Sequence, residues 1–320
     1  MHGRFSWYEL YTTDTEAAKR FYLPITGWGV QRWDQSSADN PYEMWTAAGA
    51  PFAGLMPLTD EMKAMGAPPH WLAYVEVKNA DETLKRATGL GAKVVWGPET
   101  IPQVGVLAIM ADPQGAIIAI LQPVMASEGF DGTPVLGKPS WHELLTTDYE
   151  AAFKFYSAVF GWTKLDAMDV GGGMMYQMFS AGTGTKPAGG MYNRAGPMAK
   201  VPPNWLLYMN VRDARGAVGA INRGGGKVIN GPMQPPGGDW IVMAMDPQGV
   251  AFAVHSLAAK AAPAKPTKKA AKKKAAQKKV AKAKPKKSAK KDKKAKKAAK
   301  KARKKAKRAA KKAKKKAKKR

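Results

Sequence analysis

The 320-residue chain contains no cysteine, so a disulfide framework, a thiolate nucleophile and a sulfur-ligated metal are all excluded. Histidine is scarce. Neither His2 nor His70 has an E-x-x-H or H-x-x-x-H companion, and both read as surface residues. No apolar run is long enough to predict a membrane-spanning helix. The opening MHGRFSWYELYTTD places Glu9 and Asp14 where a signal peptide needs an unbroken apolar segment. The glycine runs at 171–173 and 224–226 lack the strand, G-x-G-x-x-G and helix context of a dinucleotide site. The expectation is a soluble cytoplasmic protein with no nucleotide cofactor.

Acidic charge is missing from one end only. From Lys260 onward there are 34 Lys and Arg against Asp292 alone, whereas residues 1–259 hold 19 basic and 23 acidic residues. The formal charge of +29 thus belongs to the tail, and any nucleic-acid partner with it. Alanine favours helix, but like charges at every turn repel, so residues 258–320 are expected to be disordered when free. Lysine is a point charge without a guanine-reading fork, and the tail has no aromatic residue to stack on bases. Binding of nucleic acid through residues 260–320 should be sequence-independent and weakened by salt, which implies nucleoid association. The absence of an apolar face argues against a membrane partner.

What is present is a duplication. Residues 139–164 match residues 5–30 at 14 of 26 positions. Each copy reads as an alternating strand, then Asp14 or Asp148 as helix N-cap, then an amphipathic helix. Ala17, Ala18, Phe21, Tyr22 and Ile25 form its stripe, matched by Ala151, Ala152, Phe155, Tyr156 and Val159. Further on, WLAYVEV alternates, Asn79 starts a second helix, and VGVLAIMADPQG and AIIAILQP close the unit as strands around a structural turn. The predicted order is α+β: two βαβββ units in 1–123, a Gly/Pro/Ser-rich linker in 124–138, and two more in 139–257.

The strand ending TTD, the helix EAAxxFYxxxxGW, the DPQG turn and the paired βαβββ order, each present twice, resemble the vicinal-oxygen-chelate superfamily of glyoxalase I, bleomycin- and fosfomycin-resistance proteins and extradiol dioxygenases. The resemblance covers residues 5–257. It implies tandem domains, each a cupped mixed sheet that holds a small organic molecule, usually on a divalent metal. In the resembled enzymes a first-strand His or Gln, a position on the second unit's strand and a final-strand Glu supply ligands. The matching positions are Trp7, Leu72 and Ala119, and Trp141, Leu206 and Ala253. No metal ligand and no cofactor are therefore expected. His142 falls on the opposite face from Trp141 and reads as a satisfied core histidine.

Period two carries Trp7, Glu9, Tyr74 and Glu76 into the first cup and Trp141, Glu143, Tyr208 and Asn210 into the second, as candidate ligand contacts. His255 would join Glu143 and Tyr208 as a set capable of acid–base catalysis, while the first cup has Leu121 at that place. Glu9 and Glu143 read either as carboxylates held by a neighbouring tyrosine or as bases. Trp45, Trp71, Trp205, Trp240, Met110, Met243 and Met245 read as core before lining. The function expected is a glyoxalase- or bleomycin-resistance-like protein that binds or transforms a small organic molecule, tethered to nucleic acid by its tail. The alternatives are a metal-dependent lyase or dioxygenase, and a nucleoid-associated protein that uses the cups as scaffold.

Overall fold

In the computed structural model, which describes residues 2–258 apart from 35, 37–41, 128 and 183, the first half runs β1 (Phe5–Thr12), α1 (Thr15–Thr26), β2 (Gly29–Arg32), β3 (Glu43–Ala47), β4 (Ala50–Pro57), α2 (Asp60–Ala64), β5 (His70–Glu76), α3 (Ala80–Gly89), β6 (Lys93–Ile101), β7 (Gly105–Ala111) and β8 (Ile117–Pro123). The second half runs β9 (Pro139–Thr146), α4 (Tyr149–Phe160), β10 (Thr163–Asp169), β11 (Met175–Ser180), β12 (Gly189–Asn193), β13 (Asn204–Asn210), α5 (Ala214–Arg223), β14 (Lys227–Met233), β15 (Trp240–Met245) and β16 (Ala251–Ser256). The expectations for the basic tail lie outside the described residues.

The helices start where the sequence marks them. Asp14 accepts the Ala17 amide at 2.9 Å, and Asp148 accepts the Glu150 and Ala151 amides at 3.0 Å. Gly27 and Gly161 end the helices in the left-handed region, at φ 71° and 72°. The expected stripe is buried in both, with Ala17 and Ala151 at its margin, half-buried and exposed. Between β4 and β5 lies the short helix α2, which no apolar period marks. The outer strand β6 had likewise no alternation to betray it, because nearly all of it is exposed.

Each half forms one eight-stranded mixed sheet, ordered β2-β3-β4-β1-β5-β8-β7-β6 and β10-β11-β12-β9-β13-β16-β15-β14. Two βαβββ units meet edge to edge at the antiparallel β1–β5 and β9–β13 pairs. A single hydrophobic core, holding the apolar faces of the helices, runs through both halves. Phe21 and Tyr22 of α1, for instance, pack edge-on against Phe252 of β16. The opposite face of each sheet carries its own small apolar cluster, around Leu72, Tyr74 and Ala119 or around Leu206, Tyr208 and Ala253. These two faces are the cups.

The repeated motifs turn out to be each other's partners across the halves. Gln248 of the second DPQG turn accepts from Thr12 Oγ1 (2.6 Å), Thr13 Oγ1 (2.5 Å) and the Asp14 amide (2.7 Å), and its Nε2 donates to Asp14 O at 2.9 Å. Gln114 does the same for Thr146, Thr147 and Asp148. Tyr156 donates to Asp112 (2.9 Å) and Tyr22 to Asp246 (3.3 Å). Trp28 and Trp162, the tryptophans of the two GW pairs, donate to Gly137 O and Gly3 O at 2.6 and 2.7 Å. DPQG is a turn, as expected, and it is also a clamp on the other half.

Candidate functional site

Alternation along β1 sends Tyr8 and Leu10 into the common core and Trp7, Glu9 and Tyr11 towards the cup. Glu9 is 7% exposed and is held by three phenols. Tyr11 and Tyr74 donate to Oε2, each at 2.6 Å, and Tyr42 donates to Oε1 at 2.9 Å. The Trp7 indole N–H then donates to the Tyr42 oxygen at 3.1 Å. Room for the Tyr42 ring comes from Gly54, the strand partner of Glu9, where a Cβ would lie 2.1 Å from the Tyr42 oxygen.

The second cup repeats this arrangement with one exchange. Glu143 accepts from Tyr176 at 2.9 Å, the hydroxyls of Tyr192 and Tyr208 stand beside it and favour its charged form, and Trp141 donates to the Tyr176 oxygen at 2.6 Å. Gly190, the partner of Glu143, gives the Tyr176 ring its place. Tyr42 and Tyr74 correspond to Tyr176 and Tyr208, but Tyr11 corresponds to Leu145. The third phenol comes instead from Tyr192, which is the register partner of Leu145, just as Met56 is the register partner of Tyr11. The hydroxyl has moved sideways to the neighbouring strand and still reaches the carboxylate. Alternation pointed to Glu9, Glu143, Tyr74 and Tyr208. It puts Tyr11 on the same face without marking it as a site residue, and it does not reach Tyr42, Tyr176 and Tyr192, although the YEM and YQM segments that carry Tyr42 and Tyr176 recur at the register of the duplication.

Burial sets the electrostatics. Desolvation raises the proton affinity of Glu9 and Glu143, against the lowering effect of the three hydroxyl donors. Desolvation first, and the adjacent carboxylate second, push the phenols up, so they remain protonated donors. A carboxyl with raised proton affinity, touched only by hydroxyls, is competent to exchange a proton with a bound molecule.

The remaining predicted residues divide. Glu76 is buried and accepts from the amide and hydroxyl of Ser127 at 3.2 and 2.7 Å, which ties it to the connector. Asn210 bonds the connector's other end through its backbone, to Gly137 and Lys138. His255 does not bond to Glu143 or Tyr208. Its Nδ1 lies 2.7 Å from Ser140 Oγ and its Nε2 2.9 Å from Asp239, whose other oxygen accepts the Ala258 amide. The bulge between Tyr208 and Met209 offers the reason, since it turns Ser140 towards β16. His142 is fully buried, its Nδ1 donating to Ala188 O and its Nε2 accepting from Tyr8, the residue at its own equivalent position. Burial holds it neutral, with its pKa lowered to about 3. Trp45, Trp71, Trp205 and Met110 belong to the common core, and Met243 to the second cup. His70, read as a surface residue, is half-buried and stacks on Tyr11 with ring centres 5.3 Å apart.

The superfamily's metal does not fit these residues. At the three inferred positions Trp7, Leu72 and Ala119 sit together in one apolar cluster, and Trp141, Leu206 and Ala253 in the other, and none of these side chains carries a metal-donor atom. Among the described residues the hydrogen-bond partners of Glu9 and Glu143 are phenols. Among the described residues no three His, Asp or Glu side chains converge.

Comparison with known proteins places the chain. The family model for the Glyoxalase/Bleomycin resistance protein/Dioxygenase superfamily matches residues 138–254. CFP32 of Mycobacterium tuberculosis, named as a glyoxylase, is 32% identical over 254 residues, covering 79% of this chain and 94% of CFP32. The anthracycline biosynthesis protein DnrV of Streptomyces peucetius is 28% identical over 80% of this chain and 94% of its own. The Mn(II)-bound glyoxalase of Novosphingobium aromaticivorans superposes with a TM-score of 0.54 at 15% identity, over 80% of this chain and 82% of that one, a likeness of fold. With its tandem cupped sheets and a relative of this identity along 79% of its length, the chain belongs to the Glyoxalase/Bleomycin resistance protein/Dioxygenase superfamily.

Proposed function

We propose that each cup binds a small, flat organic molecule against its half-buried tryptophan and tyrosines, without the superfamily's metal, and that Glu9 or Glu143 is the group that meets the molecule's polar end. The observation that carries this reading is the Trp–Tyr–Glu assembly built twice, with the third hydroxyl preserved although the strand supplying it differs. A carboxylate kept only for packing would be replaced at lower cost by an apolar side chain. DnrV, named for anthracycline biosynthesis, supports a flat polycyclic ligand. Transformation of that ligand would run through proton exchange with the carboxyl, aided by the neighbouring phenols. Titration with a flat polycyclic ligand should show binding that Trp7→Ala and Trp141→Ala weaken in their own cups. Elemental analysis of protein purified without chelator checks the metal: about one divalent ion per domain, lost on changing Glu9 or Glu143, would restore the metal-dependent lyase or dioxygenase.

The tail supplies a second activity in this reading. Residues 260–320, with 34 basic residues, would hold the cups on nucleic acid through phosphate contacts, and so at the nucleoid. Duplex binding measured across a salt series, with and without these residues, decides it. Equal binding by the shortened chain would remove the tether.

A further inference from the structure

The two carboxylates lack a countercharge. Among the described residues no basic side chain reaches ion-pair distance of Glu9 or Glu143, although both are more than nine-tenths buried. The nearest imidazole, His70, is stacked on Tyr11 and has Nδ1 on Pro68 O, and burial lowers its pKa. The second cup has Asn204 at the equivalent place, so histidine is not the general answer.

The hydrogen-bond directions narrow what could be. Each phenol has one proton, and all three are spent on the carboxylate. The oxygens of Tyr42 and Tyr176 are further occupied by the indole N–H of Trp7 and Trp141. Tyr11 and Tyr74 therefore present only lone pairs outward. The indole donors are already used. The cluster offers acceptors, a negative charge and aromatic faces, and in the first cup the described phenols and indole leave no free donor.

Resting on the ligand-binding reading above, we propose that the group each cup recognises is a protonated amine carried on a flat aromatic body. Its N–H bonds would meet the phenol oxygens, its charge would balance the buried carboxylate, and the tyrosine and tryptophan rings would face it as they face an ammonium in an aromatic cage. A carboxylate or phosphate would meet repulsion here. A neutral carbonyl would find no hydrogen to accept.

Calorimetric titration of the full chain with 2-naphthylmethylamine and with its neutral counterpart 2-naphthylmethanol, both at pH 7, separates the possibilities. The amine should bind at least about tenfold more tightly than the alcohol. The preference should vanish in the Glu9→Gln, Glu143→Gln double variant, checked for folding by circular dichroism. An alcohol that binds as well as the amine overturns the amine assignment and leaves the ligand-binding reading standing. Failure of both compounds to bind sinks the two together. An amine preference that survives the double variant places the amine elsewhere on the chain and also overturns the proposal. Should the double variant not fold, the comparison in the unaltered protein decides, with Tyr74→Phe and Tyr208→Phe as the variants that must reduce the preference.

Discussion

The two cups are alike at the centre and unlike at the rim. Both hold one glutamate under three phenols, one indole N–H on a phenol oxygen, and a glycine that lets the ring lie across the strand. The third phenol stands on β1 in the first cup and on β12 in the second. Beyond it, Leu121 in the first half corresponds to His255 in the second, and Glu76 to Asn210. The comparison teaches that the carboxylate's hydroxyl shell is the invariant, and the strand that supplies it is free to change.

The equivalent positions Tyr8 and His142 give the largest expected effect. His142 is neutral in the folded protein with a pKa of about 3, while unfolded histidine titrates near 6.5, so between these values the unfolded state holds more protons. Stability should therefore rise with pH in that window, and fall on acidification by up to about 1.4 kcal/mol per pH unit. Glu9 and Glu143, with raised pKa values, act in the opposite sense and reduce the net slope. Urea unfolding from pH 7 to pH 4 should show a steeper loss than in His142→Gln. Parallel profiles would mean that the buried imidazole charges without penalty.

Breaking the bond between the halves comes next. Removing both clamps in Gln114→Ala, Gln248→Ala should cost roughly 2–5 kcal/mol in thermal or urea unfolding, because each glutamine leaves several hydroxyls and amides without their partner. Gly190→Ala should cost about 1–3 kcal/mol and move Tyr176 off Glu143, since the added Cβ would stand 1.9 Å from the ring. The loss of near-ultraviolet dichroism from that tyrosine reports it. The smallest effect is the sharpest test of the exchange. Tyr11→Leu should cost about 1 kcal/mol, and adding Met56→Tyr should recover most of it, by rebuilding the second cup's arrangement in the first. A double variant no better than the single one would show that the two hydroxyls are not interchangeable.

Much of this is legible in the sequence. The duplication, the N-caps, the inward Trp7 and Glu9 and the core position of His142 all follow from period two, period 3.6 and a matched register. The hydroxyl shell was half visible: Tyr74 and Tyr208 lie on strands whose alternation is clear, whereas Tyr42 and Tyr176 reach the carboxylate only through strand pairings that no local pattern encodes. The exchange of Tyr11 for Tyr192 depends on β1–β4 and β9–β12 register, a contact distant in sequence. The partners of His255, Ser140 and Asp239, are not legible from alternation, which fixes a face and cannot foresee a bulge that brings Ser140 within its reach. DPQG looked sufficient as a turn because a turn explains its Pro and Gly, and the glutamine's partner lay in the other half.

That partner sets an order of events during synthesis. The threonines and amide that open α1 are made early, and the side chain that closes over them is Gln248, 234 residues behind Asp14. The first half leaves the ribosome with α1 capped by its own Asp14 but with the Thr12 and Thr13 hydroxyls and the Asp14 amide met only by water, and almost the entire second half must follow before they find Gln248. A chain interrupted between the cups would yield two fragments, each lacking the glutamine that the other carries, so the protein is inherited and assembled as a pair.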